Sequence, residues 1–102
     1  MSVIIEFSIF PMDKGESLSP YVARALKMIQ NSGLPYEMNP MGTCVEGEWG
    51  EVMALVDRCF QELEKDCSRI NLSLKADYRK GLSGRMKSKV ASVKEKLKLR
   101  PQ

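Results

Sequence analysis

Histidine is absent from this sequence of 102 residues. That removes the commonest general base, the Ser-His and Cys-His nucleophile pairs, and every zinc site that needs imidazole, so most familiar enzyme chemistry is excluded at the outset. Cysteine is scarce: Cys44, Cys59 and Cys67 are odd in number and nowhere spaced as CxxC. This argues against a disulfide framework and against an all-cysteine metal site, and predicts a reducing, cytoplasmic setting with no metal or cofactor. Long apolar runs are missing too. Glu6 interrupts the apolar start before signal-peptide length, and nothing approaches the ~20 apolar residues of a membrane span. The expectation is a soluble chain that keeps its N-terminus and has no membrane partner.

What is present describes a small globular unit, 11.5 kDa with 43% hydrophobic and 28% charged residues, read as one domain over residues 1–102. A domain of this size buries only roughly 60–65% of the surface its unfolded chain exposes, which makes self-association a natural source of stability. The net charge of +3 is unevenly spread: residues from Arg79 onward carry +8 and the preceding ones −5. A basic terminal helix can track phosphates, and alternating lysines are also the ordinary polar face of a helix; both readings are open.

Residues 3–10 alternate, with Val3, Ile5, Phe7 and Ile9 on one face of a strand and Ile4, Glu6, Ser8 and Phe10 on the other. Pro11 ends it. A helix starts near Ser19, read as its N-cap with Pro20 in the first position, and stops at Gly33. Tyr36–Met38 and Gly42–Glu48 form a hairpin across Pro40-Met41-Gly42. Trp49–Asp66 carries Val52, Leu55, Val56, Cys59 and Leu63 at helical spacing. Arg69–Arg79 alternates again, and a final helix after Gly81–Gly84 bears Met86, Val90, Val93 and Leu97, with Pro101 as its stop. The order predicts an α+β fold, the ferredoxin-like plait βαββαβ with an extra C-terminal helix.

In that plait one sheet face takes the helices, and the other carries Glu6, Ser8, Phe10, Cys44, Glu46, Glu48, Lys75 and Asp77. The carboxylates predict an anionic recess, flanked by Phe10, Tyr36, Met38, Met41 and Trp49, suited to a small cationic aromatic ligand. A wet sheet face is polar for simpler reasons, and that reading also stands. Gly42-Thr43 with Gly47 lacks the lysine and spacing of a phosphate loop. Glu46 and Asp77 have no nucleophile or oxyanion hole beside them, so ligand-binding or structural roles are favoured over acid–base catalysis, and no catalytic residue is assigned. Nucleic acid is not expected on the sheet, since the third strand reads Thr-Cys-Val-Glu-Gly-Glu where RNA-binding plaits place aromatics.

The run Tyr36-Glu37-Met38-Asn39-Pro40-Met41-Gly42-Thr43-Cys44-Val45-Glu46-Gly47, with Ser19-Pro20-Tyr21-Val22-Ala23 and Lys75-Ala76-Asp77-Tyr78-Arg79, resembles the small thiamine-binding, YkoF-like proteins over nearly the whole chain. The segment Pro40–Gly47 is its most specific part. The resemblance implies a homodimer or homotetramer that binds thiamine or its hydroxymethylpyrimidine part without changing it, near the sheet and a subunit interface. Carried over by position, it implies ligand-binding roles for Ser8, Ser19, Tyr21, Tyr36, Gly42, Thr43 and Glu46, with Glu46 on the aminopyrimidine and Thr43 as a hydrogen-bonding neighbour. On this view Glu46→Gln weakens binding and leaves thermal unfolding nearly unchanged. The alternative is a structural or interaction module that self-assembles through its sheet and takes no small ligand.

Overall fold

The computed structural model describes residues 2–81 and 84–98. Its elements follow the order β1 (Val3–Pro11), α1 (Ser19–Asn31), β2 (Tyr36–Asn39), β3 (Gly42–Gly47), α2 (Trp49–Glu64), β4 (Ile70–Tyr78) and α3 (Arg85–Lys98). The four strands form one antiparallel sheet in the order β2-β3-β1-β4. This is the ferredoxin-like plait expected from the sequence, extended by α3. The Pro101 stop lies outside the described residues.

Strand β1 sits between β3 and β4 and sets the two faces. Its odd residues are buried and its even residues partly exposed, as the two-residue period dictates. Val45 pairs with Ile5, so β3 repeats the alternation, with Val45 inward and Cys44 and Glu46 on the opposite face. Helices α1 and α2 cover the inward face. Ile5, Val45, Val52, Leu55, Cys59 and Leu63 are fully enclosed there, and burial pushes the Cys59 thiol up to about 11.

Local chemistry fixes the ends. Helix α1 is preceded by Leu18, which makes no side-chain cap, so Ser19 is the first helical residue and not the cap expected of it. Ser32 closes the helix by donating its hydroxyl to the Ile29 carbonyl at 2.6 Å, and Gly33 turns the chain at φ 77°. Glu48 and Glu51 form a reciprocal capping box at the start of α2. The two helices are clamped by Arg24 of α1. Its guanidinium donates to the Asp66 carboxylate at 3.0 Å and the Glu62 carbonyl at 2.7 Å, and lies over the Tyr21 ring. At the same end of the sheet the Asp13 carboxylate accepts the Ser68 amide and hydroxyl, which hold it down at about 2.

Leu55 projects from α2 into this core and is fully buried there. Leu55→Ala should lower unfolding free energy by about 2–5 kcal/mol, measured by urea denaturation with an unchanged m-value.

Candidate functional site

Helix α3 lies on the face that α1 and α2 leave bare. Across that face Glu46, Ile4 and Asp77 form one row, set by the pairings of Ile4 with Glu46 and with Asp77. The helix begins over this row. Its first amides, from Arg85 at 2.9 Å and Met86 at 3.4 Å, donate to the Glu46 carboxylate, which also accepts the Ser2 hydroxyl at 2.9 Å. Arg85 reaches Asp77 at 2.8 Å, and Lys89 binds the same carboxylate. Glu46 is thus only 5% exposed and acts as the anion at a helix N-terminus. Burial by itself would raise its pKa, but the Arg85 amide, the Ser2 hydroxyl and the amides of Met86 and Gly84 outweigh burial and hold it below the ordinary glutamate value.

Two further acids of this face are also engaged, while Glu37, opposite Cys44 on β2, has no ion pair among the described residues. Glu6 pairs with Lys75 at 3.3 Å, and Glu48 belongs to the α2 cap. Where an open anionic recess was expected, Glu46 and Asp77 instead serve as counter-charges and acceptors for the start of α3.

The large cavity lies at the end of the sheet, beneath α1, and reaches residues of both faces through the sheet edge. Pairing of β1 with β3 stops at Phe7 and Thr43, while β1 continues to Pro11, so a gap opens beside Ser8–Phe10. The hairpin turn Asn39–Gly42 overhangs it and α1 roofs it. The enclosed volume is about 610 Å³, walled by Phe7, Ile9, Val22, Leu26 and Met38, with polar atoms from Ser8, Asn39 and Thr43. Gly42 sits in a tight place at the turn: a Cβ there would lie 3.3 Å from both the Phe7 carbonyl oxygen and Glu6 Cγ. Thr43 stands opposite Phe7 on the inward face. No ionisable side chain lines the cavity, and among the described residues no three acidic or thiol groups converge as a metal site.

Of the residues singled out in the sequence, Ser8, Gly42 and Thr43 come together in this cavity. Ser19 is exposed at the start of α1. Tyr21 is spent under Arg24, Tyr36 lies exposed on β2, and Glu46 is on the opposite face. Phe10, Met38 and Met41 do flank the cavity, while Trp49 does not. Sequence reasoning missed Val22 and Leu26, which read simply as a helix stripe. The available signal was the short β2–β3 hairpin, whose six-residue β3 lies beside a nine-residue β1 and cannot cover all that α1 overhangs.

A family model described as thiamine-binding protein matches residues 5–94. The UPF0045 protein Mb1933 of Mycobacterium bovis is 38% identical over 103 residues, covering 100% of both chains. The UPF0045 protein MJ1052 of Methanocaldococcus jannaschii is 33% identical over 93 residues, covering 91% of this chain and 93% of its own. The crystal structure of MJ1052 superposes with a TM-score of 0.85 over 92% of this chain and 97% of that one. A Thermotoga maritima protein, TM0486, assigned provisionally to thiamine biosynthesis or salvage, is 29% identical with a TM-score of 0.77, over 89% of this chain and 99% of its own.

The geometry of Glu46 changes the expectation for Glu46→Gln. The amide would turn a donor toward the first amides of α3, so the variant should lose about 1–3 kcal/mol of stability. A carboxylate depressed in the folded state contributes fully above its unfolded pKa, and that contribution disappears as pH falls through the lower folded value. Wild-type stability should therefore fall more steeply on the acid limb than that of Glu46→Gln, the two curves converging at the lowest pH. Thermal unfolding of both forms against pH checks this.

Proposed function

Because the chain belongs to the thiamine-binding protein family, we propose that it binds thiamine, or the hydroxymethylpyrimidine part of it, in the cavity beneath α1 and the β2–β3 turn, and releases it unchanged. The observation that carries this reading is the cavity's composition. Its volume of about 610 Å³ falls within the usual range for small-molecule sites, and it combines aromatic and thioether walls with a few polar atoms. Phe7, Phe10 and Met38 offer surfaces against which a flat heteroaromatic ring packs, and π faces also suit a cationic thiazolium. Ser8, Asn39 and Thr43 supply hydrogen bonds that fix orientation. The lining holds no ionisable side chain to activate the Ser8 and Thr43 hydroxyls, which supports binding over turnover. Ser19, Tyr21, Tyr36 and Glu46 have structural or surface roles in this reading.

A second feature favours self-association alongside ligand binding. The Cα radius of gyration is 15.6 Å, above the roughly 13 Å of a compact 100-residue domain. The excess fits α3, whose Val90, Val93 and Leu97 are exposed, Val93 by 58%. Leu72 and Leu74 of β4 face the helical layer yet remain 42% and 37% exposed. An assembly of like chains in the cytoplasm would bury these surfaces. Among the described residues no helix is long and apolar enough to cross a membrane.

Thiamine should raise the melting temperature in proportion to the logarithm of its concentration above Kd. Thr43→Val should weaken binding roughly tenfold, the value of one lost hydrogen bond, with the unliganded melting temperature little changed. Val22→Trp should abolish binding by filling the cavity. A melting temperature unmoved by thiamine would leave only the assembly reading. Val93→Asp with Leu97→Asp should reduce the light-scattering mass without altering the fold seen by circular dichroism; an unchanged mass would remove α3 from the interface.

A further inference from the structure

We infer that the open edge of β1 at Ile9 reads the aminopyrimidine ring of the ligand, its backbone N–H and C=O taking the hydrogen bonds that a longer β3 would have made. The inference rests on the reading that the cavity holds a thiamine-type ligand, and adds which backbone atoms of the chain meet its aminopyrimidine half.

In an antiparallel sheet successive residues turn their N–H and C=O to opposite neighbours. The Met12 amide donates to the Arg69 carbonyl at 2.7 Å, so the even positions at this end of β1 point toward the β4 side. The Phe7 carbonyl oxygen lies against Gly42, on the β3 side. Ile9, two residues beyond Phe7, therefore also presents both backbone groups toward β3. The register runs Ile5–Val45 and Phe7–Thr43, so the next partner would be Met41. That residue is in the turn, however, because the hairpin closes at Asn39 and Gly42. Met41 is 92% exposed, and no described residue hydrogen-bonds the Ile9 backbone on that side.

Ile9 is itself 6% exposed and lines the cavity. An N–H and a C=O left without partners next to an apolar wall are costly, and a ligand that satisfies both gains that energy. What fits is a molecule carrying one acceptor beside one donor, as a residue of a neighbouring strand does. A 4-aminopyrimidine has this pattern: a ring nitrogen accepts and the adjacent exocyclic amine donates. The open edge is one such pair long, because Pro11, the next position facing that way, has no N–H. An added peptide strand would need more than one pair, so the edge is matched to a small ring. The thiazole half offers no matching pair and would lie toward the mouth, against Met38 and Met41.

The test is calorimetric titration of the full chain with thiamine, 4-amino-5-hydroxymethyl-2-methylpyrimidine, the thiazole alcohol and the 4-oxo analogue of thiamine. Nitrogen–proton correlation spectra would follow the Ile9 amide in parallel. Thiamine and the free aminopyrimidine should both bind, and the Ile9 amide proton should move downfield with each. The 4-oxo analogue keeps the size and the thiazolium but reverses donor and acceptor, and should bind roughly tenfold or more weakly. Equal affinity for thiamine and its 4-oxo analogue, or thiazole binding as tight as thiamine, would overturn the inference while leaving the cavity as the site. An Ile9 amide unmoved at saturation would do the same. If neither thiamine nor the aminopyrimidine bound at all, the cavity reading would fall, and this inference with it.

Discussion

The difference in length between β1 and β3 governs this end of the molecule. β1 is held on both sides only as far as Phe7 and then continues to Pro11 against β4 alone. β3 cannot follow it, because Pro40 and Met41 must turn the chain back between Asn39 and Gly42. Gly42 in turn presses on the Phe7 carbonyl too closely to accept a side chain comfortably. The consequence is a gap in the sheet beneath a helix that continues past it. α1 buries Ala25 and Ile29 on the core but leaves Val22 44% exposed, since there is no strand below for it to cover. The cavity is thus what the packing of a plait leaves when one hairpin is short.

A carboxylate organises the opposite face in a comparable way. A buried glutamate is tolerated only where donors surround it, and Glu46 finds them in Ser2 and the first turn of α3. The helix gains an anion at its N-terminus, and the sheet gains a cover over Ile4. Asp77 adds a second anchor through Arg85 and Lys89. Two cations from the strongly basic end of the chain, Arg85 and Lys89, are therefore bound to the acidic body by specific pairs.

Much of this was legible in the amino-acid order. The alternation in residues 3–10 and 70–78 and the helical spacing of Val52, Leu55, Cys59 and Leu63 are period signals strong enough to give the plait. The burial of Val45 follows from the same alternation. The candidate site was only half legible. Thr43, Gly42 and Ser8 do line the cavity, yet Glu46 and Asp77 meet α3 and do not stand open, because a run of outward carboxylates looks the same in sequence whether it awaits a ligand or a helix. Only the position of α3, fixed by long-range contacts between residues 46 and 85, separates the two cases. Tyr21 likewise reads as a ring available to a ligand until Arg24 is seen to lie over it.

No ionisable side chain lines the cavity, so direct charge pairing is not what it can offer a cationic ligand. Glu6 is paired with Lys75, Glu62 and Asp66 with Arg24, and Glu46 and Asp77 with α3. What remains at the gap is shape, ring and sulfur surfaces, and the fixed dipoles of a strand edge. Such dipoles are already oriented by the sheet, so they need no reorganisation to meet a ligand. They also discriminate by the order of donor and acceptor, a distinction that a carboxylate, which only accepts, cannot make as sharply. In the proposed reading such a site would select for ring chemistry first and for charge second, and would depend on the pairing that holds Phe10 and Pro11 of β1 against β4.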